Sequence, residues 1–280
     1  MRQFRTYSIY ANVPSAALER QRERLIGEFK EKGDEHMWRW LESTGRRIEE
    51  VTPDLREPAA AMTWESEVMK QLGLIASNPV GKLVLDQINY LKTVWILPFE
   101  AGSDAQCTCR AFTFPSGPKE REGIRIYYNP SYSRDGDKWI GSDDILLHEL
   151  VHAYRMSTVG YCGMNWRQLN NFDDAEEFYA TQIQNVYLSF RGSPLYYKWY
   201  SPLTQGTFAE VYDYLTGEDP IMAFKWFLDN EKLARLLSAW SVPKFNPWRD
   251  FSGLEKQFLD YMRKGGYTMP PPFGYMTICK

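Results

Sequence analysis

The stretch ILLHELVHAYRM, residues 145–156, contains two of the protein's three histidines. His148 and His152 are four positions apart, and Glu149 directly follows the first of them. Residues four positions apart share one face of an α-helix, with their side chains about 6 Å apart, which is within reach of one metal ion. The pattern H-E-x-x-H therefore predicts a metal-binding helix, provided that the surrounding sequence is helical.

The flanking residues favour a helix. Ser142 is a good N-cap, and Asp143 and Asp144 place negative charge in the first turn, where the helix dipole stabilises it. No glycine or proline follows until Gly160. The other faces carry apolar side chains, namely Leu146, Leu147, Leu150, Val151 and Tyr154. We expect a helix that is buried on most sides, with both histidines pointing into the same interior.

These residue types suit zinc catalysis. Zn²⁺ binds neutral imidazole nitrogen at about 2.0–2.1 Å, and a catalytic zinc keeps one position for a water molecule whose pKa falls towards about 7. Glu149 is turned about 100° around the helix from His148, and we expect it to act on that water as the general base. The alternative is a core helix whose polar side chains are satisfied by ordinary hydrogen bonds, but their burial without a partner is costly.

A third ligand is needed, and the remaining histidine does not supply it. The long metzincin pattern would place a glycine at position 155 and a histidine at position 158, where this sequence has Arg155 and Thr158. His36 lies far upstream in a charged segment. A carboxylate is therefore the expected third ligand.

Two glutamates of a second predicted helix are the candidates. The segment NFDDAEEFYATQIQNVYLSF, residues 171–190, carries an apolar stripe with helical spacing, and Glu176 and Glu177 lie on or beside that stripe. A helical wheel places Glu176 nearer the centre of the stripe and Glu177 at its edge. Periodicity slightly favours Glu176 as the inward carboxylate, and a pair of solvated glutamates in the first turn is the alternative.

The sequence HELVH followed at this interval by EEFYAT resembles the gluzincin arrangement, in which a second helix supplies a glutamate ligand. The likeness is closest to the type III effector zinc metalloproteases of the NleD kind, and clostridial neurotoxin light chains carry a similar pairing. The segments at 73–88, 94–99 and 123–131 come in the order expected before the metal helix of such effectors. The resemblance covers about residues 65–195 and implies a zincin-like core.

The resemblance also implies which glutamate binds the metal. In the gluzincin pattern, a small residue stands three positions after the ligand glutamate, which fits Glu177 with Ala180 and does not fit Glu176 with Tyr179. The resemblance therefore implies three zinc ligands, namely His148, His152 and Glu177.

Composition limits the class of protein. A chain of 280 residues with 44% hydrophobic and 15% aromatic residues can bury a substantial core, in one large domain or two smaller ones. The formal charge of −3 shows no excess of basic residues of the kind that binds nucleic acid, so nucleic acid is not expected as a partner. No run of about 18 apolar residues is present, and residues 1–21 lack the apolar segment of a Sec signal. We therefore expect no membrane span, and either export by a specialised secretion system or a cytoplasmic enzyme.

The chain as a whole predicts an α+β fold that is mostly helical. Residues 15–50 are charged and have a helical rhythm, strands cluster between residues 94 and 128, and the sequence after residue 190 is again typical of helices. We expect an N-terminal helical segment at 1–60 and a metalloprotease domain at 61–280. In that domain a small sheet precedes the H-E-x-x-H helix, and the C-terminal part is helical.

These expectations describe a zinc-dependent metalloendopeptidase, and the resemblance implies a secreted bacterial effector or toxin that cleaves a protein in the cytosol of a target cell. A tyrosine, histidine or arginine beyond the third ligand often stabilises the oxyanion, and the candidates are Arg191, Arg263 and Tyr267. Two alternatives stay open. One is a zinc hydrolase of a non-protein amide, and the other is a non-catalytic binding module with a metalloprotease-like site.

Overall fold

The structure is a computed structural model. It describes residues 2–11, 16–33, 58–89, 92–98, 111–115, 123–130, 141–159, 175–194, 196–199, 204–207, 209–211 and 231–251. Across these residues the fold is mixed, mostly helical, with a small sheet, so the sequence-based prediction is confirmed in this coarse form. The chain divides into two compact units, residues 1–77 with 81–161 and residues 78–80 with 162–280.

The first unit contains a mixed five-stranded sheet. Its strands are β1 (Arg2–Gln3), β2 (Ile9–Ala11), β3 (Val94–Pro98), β4 (Ala111–Pro115) and β5 (Ile124–Tyr128). The order across the sheet is β1-β2-β3-β5-β4; β3 runs parallel to both β2 and β5, while β1 and β4 run antiparallel to their neighbours. Three of the strands lie in the window where the sequence predicts them, between residues 94 and 128. The sequence did not predict the two N-terminal strands, β1 and β2.

The central strands can be predicted from the sequence because they are buried. Strands β3 and β5 consist of apolar and aromatic residues with few interruptions, as parallel strands covered on their faces do. Ile96 of β3 pairs with Ile126 of β5, and both side chains are completely buried. Strand β4 pairs with β5 alone among the described strands, which makes it an edge of the sheet as far as the structure describes it.

The first unit also contains four described helices. They are α1 (Ala16–Glu31), α2 (Pro58–Ser77), α3 (Pro79–Asn89) and α4 (Ser142–Val159). Helix α4 carries the H-E-x-x-H motif and packs against α2, β4 and β5. A Cβ at Gly81 would overlap the main chain of Ile75, so the close approach of α3 to α2 requires a glycine there. The predicted metal helix is thus confirmed as a helix, and it lies on the sheet that precedes it in the chain.

A buried tyrosine fixes the beginning of α4. The Tyr128 hydroxyl, at the end of β5, donates a hydrogen bond of 2.7 Å to the main-chain carbonyl of Ser142. The Ser142 hydroxyl in turn donates to the carbonyl of Pro130, also at 2.7 Å. Burial raises the pKa of Tyr128 well above its usual value, and the charges of Asp143 and Asp144 raise it further, although the hydrogen bond to Ser142 lowers it. The phenol therefore stays protonated and remains a donor.

The second unit has three described helices and a β-hairpin. They are α5 (Ala175–Phe190), β6 (Tyr196–Trp199), β7 (Thr204–Gly206), α6 (Glu231–Ser238) and α7 (Pro247–Phe251). The expectation that the sequence after residue 190 is helical is wrong at 196–199 and 204–206, which form the hairpin. The run of aromatic residues in YYKW favours a strand, and the prolines at 194 and 202 limit its length.

Polar side chains of α5 form hydrogen bonds with the main chain of other segments of this unit. The Asn185 amide donates to the carbonyl of Tyr197 at 2.8 Å and accepts from its N–H at 2.7 Å, so it completes the backbone hydrogen bonds of β6 as a neighbouring strand would. The Ser189 hydroxyl accepts a hydrogen bond of 2.8 Å from the N–H of Phe245. Asn185 and Ser189 therefore have structural roles.

Several expectations concern residues at the ends of the chain. The N-terminal segment is helical at α1, as predicted, but residues 2–11 contribute strands instead. Residues 34–57 and 252–280 lie outside the described residues, so the division at residues 60 and 61 stays a prediction. In the part of the chain that the structure describes, no helix is both long and apolar enough to span a membrane.

An ion pair and a tyrosine connect α3 to the N-terminal strands. The Asp86 carboxylate accepts hydrogen bonds from the Tyr7 hydroxyl at 2.7 Å and from the Lys82 ammonium at 2.5 Å. Partial burial raises the pKa of Asp86, but the hydrogen bonds from Lys82 and Tyr7 outweigh it, so the net pKa lies below the ordinary value. The folded protein therefore favours the ionised carboxylate.

We expect Tyr128→Phe to lower the free energy of unfolding by about 1–2 kcal/mol, because the buried carbonyl of Ser142 loses its donor. Chemical denaturation followed by circular dichroism measures the change. Tyr10→Phe is the matched control, because Tyr10 stacks on Trp95 and its hydroxyl makes no hydrogen bond within the described residues. Equal losses in the two variants would contradict the anchoring role of Tyr128.

Acid should remove the contribution of Asp86. Since its pKa is lowered on folding, its stabilisation is present above the unfolded-state value of about 3.9 and is lost as the pH falls through the folded-state pKa. The difference in melting temperature between wild type and Asp86→Asn should be largest near neutral pH and shrink below about pH 4. Glu28→Gln is the control, because Glu28 forms a surface pair with Arg24 at 3.7 Å. A difference that persists unchanged at low pH would refute this assignment.

Candidate metal centre

The two histidines of α4 face each other. Their Nε2 atoms are 3.1 Å apart, and their rings meet edge to face with centroids 4.8 Å apart. The i, i+4 spacing of a helix produces this arrangement, as the sequence predicts. Two imidazole nitrogens at this distance either share one proton in a hydrogen bond or direct two lone pairs at a common cation.

Both histidines and the glutamate between them are buried. The exposed fractions are 4% for His148, 4% for Glu149 and 5% for His152. Every residue of α4 from Ser142 to Met156 is buried, which confirms the expectation of a helix covered on most sides. A buried polar side chain is costly unless hydrogen bonds or a metal compensate for the loss of water, so each of these three needs partners inside the protein.

Glu149 has a specific partner on the edge strand. The hydroxyl of Thr113, on β4, lies 2.7 Å from Oε2 of Glu149 and 3.0 Å from the main-chain carbonyl oxygen of the same residue. Thr113 pairs across the sheet with Ile126 of β5, and α4 packs on both strands. The sheet therefore places a hydrogen-bond donor, the Thr113 hydroxyl, beside the carboxylate of Glu149.

A carboxylate is the third member of the candidate ligand set. Among the described residues, His148, His152 and Glu177 form a group whose ligand atoms all lie within 4.8 Å of one another, and this group could hold a metal ion. Glu177 is half-buried at the beginning of α5. Glu176 is completely buried, as its position on the helical wheel indicates, but it does not belong to this group.

The distances fit a divalent cation. Two nitrogens bound to one tetrahedral zinc at about 2.0–2.1 Å lie roughly 3.3 Å apart, close to the observed 3.1 Å between the two Nε2 atoms. The longest separation in the group is up to 4.8 Å, so one ligand has to move by roughly 1.5 Å to reach the same metal. Three side-chain torsions of a half-buried glutamate allow such a movement. The residues present therefore fit a metal with two imidazole ligands and one carboxylate.

Of the three residues proposed for oxyanion stabilisation, the structure describes Arg191. Arg191 is exposed just after α5, and its guanidinium lies 5.7 Å from the centre of the Tyr187 ring. Arg263 and Tyr267 lie outside the described residues. Their role stays a prediction.

Thr113 is the site residue that sequence reasoning missed. The stretch AFTFP predicts a strand, and a lone threonine in it is ordinary because β-branched residues favour strands. Only the pairing of β4 with β5, and the packing of α4 on both, place this hydroxyl beside Glu149.

Comparison with protein-family models, with curated proteins and with solved structures found no match for this chain. The chemistry proposed for the site therefore rests on its own geometry.

We expect the purified protein to carry about one divalent metal ion per chain. Glu177→Gln should weaken metal binding by more than the roughly 10- to 100-fold that the loss of an outer hydrogen-bond partner costs, because it removes a charged ligand. Elemental analysis after dialysis against a weak chelator measures this loss. Glu176→Gln is the matched control and should keep its metal. Metal loss from Glu176→Gln alone would assign the third ligand to Glu176.

Proposed function

We propose that the protein is a zinc-dependent metalloendopeptidase. In this proposal His148, His152 and Glu177 bind Zn²⁺, and Glu149 is the general base. The observation that carries the proposal is the grouping of these three ligand side chains with a buried carboxylate next to the first of them in the sequence. A helix that buries two histidines and a glutamate at this spacing has a direct chemical reason to do so if it holds a catalytic metal.

The donor set supports zinc in particular. Imidazole nitrogen and carboxylate oxygen suit Zn²⁺, and two histidines with one glutamate leave a fourth position for water or substrate. A structural zinc site is instead closed by four protein ligands. Among the described residues, the group contains three protein ligands, so the open, catalytic type is the better fit.

The residues of this chain perform the proton transfers. Zinc, when bound, acts as a Lewis acid and lowers the pKa of a coordinated water. Glu149, within the same buried cluster, accepts a proton on its carboxylate as the water attacks the amide carbon, and then donates it to the nitrogen of the leaving amine. The carboxylate returns to its ionised form at the end of each turnover, and no covalent bond between substrate and protein is required.

The sheet supports a peptide as substrate. Strand β4 is an edge strand within the described residues and carries Thr113, which contacts the base. An extended peptide can add to such an edge through main-chain hydrogen bonds, which bind a backbone of any sequence. We propose that the substrate binds in this way and that the sheet with α4 forms a zincin-like core.

The setting of the reaction is also part of the proposal. The likeness to type III effector metalloproteases of the NleD kind supports a secreted bacterial effector that acts on a protein in the cytosol of a target cell. The HELVH and EEFYAT segments and their interval carry this likeness.

Glu149→Gln should abolish peptide cleavage while zinc stays bound. The amide has the size of the carboxylate but cannot take up the proton, and the loss of a general base costs about 10²- to 10⁴-fold in rate. Mass spectrometry of a peptide library incubated with each protein measures cleavage, and elemental analysis measures zinc. A chelator should inhibit the wild type, and added zinc should restore it.

Two results would redirect this proposal. Cleavage of peptidoglycan fragments and not of peptides would indicate a zinc hydrolase of a non-protein amide. Effects on cells that survive Glu149→Gln would indicate a binding module with an idle site.

A further inference from the structure

The hydroxyl of Thr113 makes two close polar contacts with Glu149. A single hydroxyl lies within hydrogen-bond distance of two oxygen atoms of one residue, at 2.7 Å from Oε2 and 3.0 Å from the main-chain oxygen. Thr113 is half-buried and Glu149 is buried, so water competes little for these bonds. Both residues belong to elements of the first unit, β4 and α4, which pack directly on each other.

A hydroxyl has one hydrogen to donate and two lone pairs to accept with. An ionised carboxylate only accepts, so the hydrogen of Thr113 points to Oε2 when Glu149 carries its charge. The shorter of the two distances, 2.7 Å to Oε2, fits this bond to the carboxylate.

We propose that Thr113 is a positioning residue for Glu149, a role that rests on the proposed function of Glu149 as the general base. The hydroxyl holds the carboxylate in one orientation. Charge-assisted hydrogen bonds of this length are among the stronger ones in proteins, and they are directional. Catalysis depends on such orientation, since a misplacement of about 1 Å can reduce a rate about 100-fold.

The location of Thr113 adds a second consequence. The strand that would pair with an extended substrate, β4, also carries Thr113, whose hydroxyl bonds to Glu149. A substrate that pairs with β4 therefore lies on the strand that carries the donor to Glu149. Positioning of the base and binding of the substrate backbone share one element.

The test compares Thr113→Val, which has nearly the same shape without the hydroxyl, with Thr113→Ser, which keeps it. For Thr113→Val we expect kcat on a library-selected peptide to fall about 10- to 100-fold, with KM and zinc content unchanged within about twofold. Thr113→Ser should recover most of kcat. Thr158→Val is the matched control, because within the described residues the Thr158 hydroxyl bonds to carbonyls of its own helix, at 3.0 Å from the oxygens of Tyr154 and Arg155.

A second readout does not depend on turnover. Crystal structures of the zinc-loaded wild type and of zinc-loaded Thr113→Val should show Glu149 in one orientation in the first protein and displaced or divided in the second. Thr113→Ala takes the place of Thr113→Val if the valine variant does not fold.

The two readouts separate the two proposals. A wild-type kcat in Thr113→Val, or an unmoved Glu149 carboxylate in its crystal structure, would overturn the role of Thr113 while the peptidase function stands. A wild type that cleaves no peptide would overturn the proposed function, and a carboxylate that moves in Thr113→Val would still support the positioning contact.

Discussion

The burial of polar side chains on α4 is the constraint on which the rest of the structure depends. This helix has His148, Glu149 and His152 in the interior, where each polar group must find a partner or lose the hydration it had in the unfolded chain. The partners come from distant parts of the sequence. Thr113 approaches Glu149 from the edge strand. Glu177 has a carboxylate oxygen within 4.8 Å of the ligand nitrogens of the histidine pair. The fold can be understood as the scaffold that makes these partners available at the same time.

The orientation of α4 must be fixed for these contacts to have defined distances. Tyr128 and Ser142 do this at the beginning of the helix through two buried hydrogen bonds of 2.7 Å. Along its length the helix lies against β4, β5 and α2. A rotation of α4 by a few tens of degrees would remove Glu149 from Thr113, so the same packing that stabilises the unit also sets the geometry of the site. Sites supported by regular elements hold their geometry more precisely than sites supported by loops.

Buried polar side chains have two kinds of role in this protein. Asn185 on α5 satisfies the main chain of Tyr197, and this arrangement is complete without any other group. The histidine pair of α4 is different, because two ring nitrogens that face each other at 3.1 Å can either share one proton or direct two lone pairs at a common cation. The difference between the two cases is chemical and not one of burial. It is the reason why one group is structural and the other is the candidate metal centre.

The sequence by itself determined the elements that local spacing controls. The i, i+4 histidines, the acidic first turn and the absence of glycine and proline predicted α4, and apolar runs predicted β3 and β5. Spacing also limited the third ligand to Glu176 or Glu177, but a helical wheel describes one helix and contains no information about its neighbours. Only the tertiary structure shows that Glu176 is completely buried, that Glu177 belongs with the histidines to a group that could hold a metal, that residues 2–11 enter the sheet, and that Thr113 reaches Glu149. Contacts between residues far apart in sequence depend on how elements pack, and no periodicity within a single element records that packing.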